Sequence, residues 1–263
     1  MMTKNKMMYR QIDKFIFPKR VALANIFGPP ILVWTMTKVG TTSIARSLQT
    51  KLGKYRVFGE HTLNLPDWPR SVTLYNEFII KKKPIKIITA VRDPISQSVS
   101  NFFHRYSIYT GDNVISPQLT VEETMNKFLS TEFDFSWETW FEKNLERYLD
   151  IDVYNYPFSV KKGYVTIEKG NAEVLLIKSE IENSLKEKAI KEFLNIDDFR
   201  IKNKNLGDSK AYSKTYKRFK KEAKFPNEYL DYINKSKYLN HFYSSIERDA
   251  IFQKWSADYL IKG

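Results

Sequence analysis

The chain is 263 residues long, 42% hydrophobic and 15% aromatic, which excludes a disordered chain and suffices for one large domain with a core. It has no cysteine and only three separated histidines, His61, His104 and His241, so disulfides, thiolate chemistry and Cys- or His-rich metal sites are excluded and no metal is expected. A formal net charge of +13 calls for an anionic partner, without choosing among a nucleotide, an acidic polysaccharide, nucleic acid and an anionic membrane surface.

In chain order, Val21 to Thr37 is uncharged behind a basic N-terminus. Gly28-Pro29-Pro30 breaks it and Asp13 precedes it, so it reads as neither signal peptide nor transmembrane span, and the expected location is cytoplasmic. Ile31–Met36 is a short apolar run of the kind a buried parallel strand needs. A glycine turn follows, then a helix with Ile44, Leu48 and Leu52 on one face and Gly53 at its end. Tyr55–Phe58 reads as a second strand running into Gly59-Glu60-His61-Thr62, residues 68–83 as a helix, and Ile85–Val91 as a third strand. Asp93 can cap, and Pro94 open, a helix to about Tyr106.

Further on, the apolar periodicity predicts helices at Val121–Leu129 and at Phe135–Leu149, the latter with Trp137, Phe141, Leu145 and Tyr148 as its core stripe. Tyr164–Ile167 and Glu173–Ile177 read as a hairpin around Lys169-Gly170-Asn171, the second strand entering the sheet. A helix at Ile181–Leu194 follows. The C-terminal third is helical, with Ser244 to Glu247 a capping box. Lys202 to Lys224 holds nine basic residues against two acids, and Tyr212, Tyr216 and Phe219 make a core stripe with the basic residues as a solvated face. The expected fold is a single α/β domain over 1–263, a central parallel sheet flanked by helices with a mostly helical C-terminal third.

Residues that act on ligands in such sheets sit at the carboxyl ends of the strands. Lys38, His61 and Arg92 each follow a predicted strand. Thr35-Met-Thr-Lys-Val-Gly-Thr-Thr-Ser43 turns from strand into helix, where backbone N–H groups make an anion-binding nest, Lys38 adds a charged donor and Thr41, Thr42 and Ser43 add hydroxyls. It is not a Walker A loop, because the lysine precedes the glycine, and there is no G-x-G-x-x-G. The rival reading is an ordinary turn with a surface lysine. After the third strand, Arg92 and Ser100 can hold a second phosphate through a guanidinium fork and a hydroxyl; their rival reading is a salt bridge and a surface serine.

Thr37 to Ser43 resembles the 5′-phosphosulfate loop of sulfotransferases that use 3′-phosphoadenosine 5′-phosphosulfate (PAPS), and Arg92 with Ser100 resembles that family's 3′-phosphate motif. The resemblance covers roughly residues 31–105 and is nearest to carbohydrate O-sulfotransferases of the uronyl 2-O type and to bacterial capsular polysaccharide synthesis proteins. It implies a P-loop-type sheet and sulfuryl transfer from PAPS to a sugar hydroxyl. Lys38, Val39, Gly40, Thr41, Thr42 and Ser43 would then bind the sulfated end, with Lys38 also catalytic, and Arg92 and Ser100 the 3′-phosphate. His61, in Phe58-Gly-Glu-His-Thr-Leu63, matches the second of two family histidines. It would be the general base, a role that an ordinary imidazole pKa of about 6.5 suits; the first histidine position is Glu60 here. Leu175 to Glu180 resembles a late strand-plus-Glu segment, and Asn205 to Lys210 a loop that covers the nucleotide, with Lys210 at the 3′-phosphate. Glu60 and Glu180 are candidate orienting groups or alternative bases, against ordinary salt-bridged roles, while His104 and His241 read as packing or surface residues.

The implied partners are PAPS and its bisphosphate product PAP, plus a carbohydrate acceptor, with an acidic capsular or surface polysaccharide in view. Peripheral contact with an anionic membrane stays open. A P-loop kinase or NTPase is the second function, and a non-enzymatic polyanion-binding protein the third. No nucleic-acid module is recognisable.

Overall fold

The computed structural model describes residues 15–112, 115–131, 136–202 and 212–256. In chain order, α1 (residues 15–23) leads through a 3-10 turn into β1 (Ile31–Trp34), α2 (Thr41–Leu52), β2 (Val57–Glu60), α3 (Pro69–Leu74) with a π-helical turn (Tyr75–Ile80), and β3 (Ile85–Val91). Next come α4 (Pro94–His104), α5 (Tyr106–Thr110), α6 (Val121–Leu129), α7 (Ser136–Phe141) with a π-helical turn (Glu142–Glu146), and α8 (Arg147–Leu149). A hairpin of β4 (Tyr164–Lys169) and β5 (Ala172–Lys178) precedes α9 (Asn183–Leu194), α10 (Ser213–Glu222), α11 (Asn227–Lys235), α12 (Lys237–Phe242) and α13 (Ser245–Trp255). The chain divides into two compact units: Met1–Val91 with Trp140–Pro157 and Gly163–Lys202, and Arg92–Thr139 with Phe158–Lys162 and Asn203–Gly263. No helix among the described residues is long and apolar enough to cross a membrane.

The first unit holds the five-stranded sheet, in the order β2-β1-β3-β5-β4. All neighbours pair in parallel except β4 with β5. All four β1 residues are buried, as a strand covered on both faces requires. Ile31, Val33, Val57, Ile88, Leu175 and Ile177 pack with Ile44, Ala45 and Leu48 of α2 and Ala189, Ile190 and Phe193 of α9 in one core cluster. Lys86 is the charged exception in β3; its ammonium pairs with Glu173, its register partner on β5, and donates to the Phe193 carbonyl at 3.1 Å.

The second unit is helical around an aromatic core. Phe128 meets Phe102 edge-on at 5.3 Å and Phe225 at 5.2 Å, and Phe225 meets Trp255 at 5.5 Å. The Tyr212, Tyr216 and Phe219 stripe packs onto Phe103. The Ser244 capping box forms with Glu247, and Thr120 with Glu123 forms another.

Several expected boundaries move. β1 stops at Trp34, two residues early: the Thr35 amide still donates to the Glu60 carbonyl of β2 at 3.3 Å, but the Thr35 carbonyl accepts from the His61 ring at 2.8 Å instead of from a strand amide. β2 occupies Val57–Glu60 instead of Tyr55–Phe58: Tyr55 lies in an exposed turn after Gly53. The helix expected over residues 68–83 runs Pro69–Ile80 with a π-helical second half. α4 ends at His104, and α9 starts at Asn183. Trp137, Phe141 and Leu145 are buried as expected, whereas Tyr148 is only partly buried, its ring stacked on Trp34. The expected helix start at Phe135 lies outside the described residues.

Candidate functional site

β1 pairs with β2 on one side and β3 on the other, so the strand order reverses between β1 and β3. In open parallel sheets ligands bind outside the carboxyl ends of the strands at such a switch point. The turn after β1 lies there. Lys38 has φ 66 and Gly40 φ 93, both left-handed. That conformation costs a lysine of order 1 kcal/mol, a strain that functional turns often hold. A Cβ at Gly40 would meet nothing within 4 Å, so backbone conformation, not space, asks for glycine, and the turn is open on that side.

α2 begins at Gly40 with no side-chain cap. The Ser43 and Ile44 amides donate back to the Gly40 carbonyl, at 3.1 and 3.4 Å. A helix start without a cap presents its first N–H groups and positive dipole end to whatever lies beyond it. Thr42 is exposed and Ser43 partly so. Thr41 is buried, its hydroxyl paired with that of Thr35, and it braces the turn from inside. Val39 is buried too, and its carbonyl accepts from Ser179 Oγ at 2.8 Å. The Ser179 amide donates to the Val91 carbonyl at 2.8 Å, so one serine ties the Lys38 turn to the end of β3.

His61 follows β2 directly. Its Nδ1 lies 2.8 Å from the Thr35 carbonyl. A carbonyl only accepts, so Nδ1 carries the proton, and Nε2 is then the lone-pair nitrogen of the neutral ring. The His61 carbonyl accepts from Trp140 Nε1 at 2.8 Å. The residue is thus held through ring and main chain, with its ring anchored three residues before Lys38. Glu60 faces Arg70 at 3.9 Å. Glu180 is exposed and lies within electrostatic reach of Lys186, whose amine burial pushes down and Glu180 pushes back up.

Arg92 is the next residue after β3. Its N–H donates to Tyr238 Oη, and Tyr238 Oη donates to its carbonyl, both at 3.0 Å. Tyr238 is itself buried. Asp93 caps α4 as expected, accepting from the Ile95 and Ser96 amides and from Ser96 Oγ. Ser100 is partly buried on α4. His104 is exposed, and His241 packs edge-on against Phe242 at 4.7 Å. Lys210 lies outside the described residues.

The structure brings His61 to the β1 turn, 26 residues upstream of it in sequence. It also adds residues that sequence reasoning left without a role. Thr35, Ser179, Trp140 and Tyr238 act through one or two hydrogen bonds between distant segments, which no periodicity announces. Lys178, last in β5 and register partner of Val91, is buried at the same sheet edge. A lysine directly after the apolar run Val174–Ile177 was the one signal available for it.

Residues 119–244 match the family NKWYS, described as "Putative capsular polysaccharide synthesis protein". This match supports the bacterial capsular part of the resemblance. It starts beyond Ser100, so Lys38, His61, Arg92 and Ser100 lie outside it, while Ser179 and Tyr238 lie inside. Comparisons with the curated proteins and with solved structures return no match.

Proposed function

We propose that the protein acts in polysaccharide biosynthesis as a PAPS-dependent sulfotransferase, moving a sulfuryl group to a carbohydrate hydroxyl. The observation that carries this reading is the anchoring of the His61 ring on Thr35, beside a lysine turn that opens onto an uncapped helix start. A candidate proton acceptor from the end of β2 is thus tied to a candidate anion-holding turn from the end of β1.

The residues divide the work as follows. The amides of Gly40 to Thr42 hold the 5′-phosphate, and Thr42 and Ser43 add hydroxyl donors. Lys38 neutralises charge that develops on the oxygen between sulfur and that phosphate as their bond breaks. His61 Nε2 takes the proton of the acceptor hydroxyl while its oxygen bonds to sulfur, and later releases that proton to solvent. The products are the sulfate ester and PAP. The resemblance assigns Arg92 and Ser100 to the 3′-phosphate, the group that separates PAPS from ATP.

Calorimetry with PAP and AMP, paired with labelled-sulfate transfer to a panel of glycans, tests the reading. PAP is expected to bind far more tightly than AMP, and Lys38→Ala and Arg92→Ala each to weaken it. His61→Ala should lower transfer by roughly two orders of magnitude or more, with PAP affinity kept. Equal affinity for PAP and AMP, or metal-dependent ATP turnover lost in Lys38→Ala, would replace sulfuryl transfer with a nucleotide kinase or NTPase.

A further inference from the structure

β2 is the edge strand of the sheet, and α1 lies along it. Phe17 meets Phe58 of β2 edge-on at 5.9 Å. Arg20 donates to the Val57 carbonyl at 2.9 Å and to the Lys54 carbonyl in the turn before β2. Phe17, Val21 and Ala24 are buried, at the i, i+4, i+7 spacing of one helical face. A helix that covers a sheet edge ordinarily turns a polar face to water.

The outer face of α1 is apolar instead. Phe15, Ile16, Leu23 and Ile26 are exposed at 74%, 56%, 44% and 71%. Phe15, Lys19 and Leu23 follow each other at i, i+4 and i+8, opposite the buried three, with Ile16 beside them. Ile26 continues the row in the 3-10 turn (Ala24–Phe27). Tyr55 is also exposed, in the turn that Arg20 holds. Side chains exposed to this degree project outward, and clustered apolar exposure of this kind marks an interaction surface.

The charge around this face has one sign. Between Asp13 and Glu60 the chain holds eight basic residues and no acid. Lys51 pairs with Asp198 at 3.6 Å, and the segment keeps a large positive surplus. Lys19 stands within the apolar row and is exposed. Lys54 lies in the turn held by Arg20, and Arg56 donates to the Pro29 carbonyl at 3.4 Å, just past the 3-10 turn. Apolar side chains set among cations match the boundary between anionic headgroups and acyl chains, where a lysine stem lies along apolar surface and its ammonium meets phosphate. A second copy that met this face with its own would set cation against cation.

From this we propose that α1 and the Tyr55 turn form a docking face for an anionic lipid bilayer. Phe15, Ile16, Leu23 and Ile26 enter the acyl boundary, and Lys19, Lys54 and Arg56 meet the headgroups. None of these residues belongs to the Lys38 turn or to the strand end that carries His61, so the docking face stands or falls independently of sulfuryl transfer.

The test is co-sedimentation of the full chain with vesicles of phosphatidylcholine alone, and of phosphatidylcholine and phosphatidylglycerol at about two to one. Partition onto the anionic vesicles is expected to exceed that onto the neutral ones by roughly tenfold or more. Phe15→Ser with Ile26→Ser should lower it by roughly tenfold or more, and Lys19→Glu with Lys54→Glu by a similar factor. Ile246→Ser, which removes another highly exposed apolar side chain in the other unit, should leave it unchanged. All these side chains are exposed, so each variant is expected to fold, which urea unfolding checks. No binding to either vesicle overturns the docking face. Anionic binding that the Phe15 and Ile26 changes leave intact is attraction by net charge alone, and overturns it as well. A dimer in sedimentation velocity that the same two changes dissociate overturns it in favour of a second copy.

Discussion

Tyr238 carries the plainest consequence at the scale of single residues. Its hydroxyl serves both main-chain groups of Arg92, so Tyr238→Phe leaves a partly buried amide and carbonyl without that partner. The expected cost is about 1–3 kcal/mol of stability, read from urea unfolding. If Arg92 holds a phosphate, PAP affinity should fall in the same variant; affinity equal to wild type would show that the clamp is purely structural. The candidate residues themselves were legible in the sequence. Lys38, His61 and Arg92 stand beside strands that apolar runs announce. Their anchors were not legible, because Thr35, Ser179 and Tyr238 are ordinary hydroxyl residues until folding sets them against a distant carbonyl.

At the scale of elements, the β4–β5 hairpin has a narrow entry. Gly163 has φ +76, and a Cβ there would lie 2.3 Å from Ile181 Cγ2. Its carbonyl also accepts from the Lys178 amide at 2.8 Å. Gly163→Ala combines a left-handed backbone with overpacking and should destabilise by about 2–4 kcal/mol, seen as a lower urea midpoint. Gly170→Ala, with open space around it, should cost less. The helix ending at Ile80 has a pH-dependent lock. Lys81, then Lys83, hold the Glu77 carboxyl below its ordinary value of 4.5. A carboxyl lowered in the fold contributes stability above its unfolded value and loses it as pH falls through the lower folded one. Glu77→Gln should therefore lower the melting temperature at neutral pH, with the gap to wild type closing on acidification below about 4.5. Most elements were legible from periodicity and caps. Their ends were less so: β1 stops where the Thr35 carbonyl is taken by the His61 ring, and β2 starts only after an exposed turn.

For the whole molecule, the chain passes between its two compact units five times, after Val91, Thr139, Pro157, Lys162 and Lys202. Neither unit is a continuous segment, so neither can be cut out as one uninterrupted stretch of the chain. One calorimetric transition is expected, its enthalpy equal to the van't Hoff value, as a single domain requires; two resolved transitions would refute that domain reading. The sequence alone determined the α/β class, the hairpin that adds β5 to the sheet, the helical C-terminal third and the presence of the three strands that the candidate residues follow. These follow from local patterns of apolar spacing, caps and turns that act within a few residues. Only the tertiary structure decided that β1 lies between β2 and β3, that the His61 ring protonates on the Thr35 side, and that Phe15, Ile16, Leu23 and Ile26 stay exposed. Strand order, tautomer and exposure all depend on which distant segments meet, and no local pattern encodes that meeting.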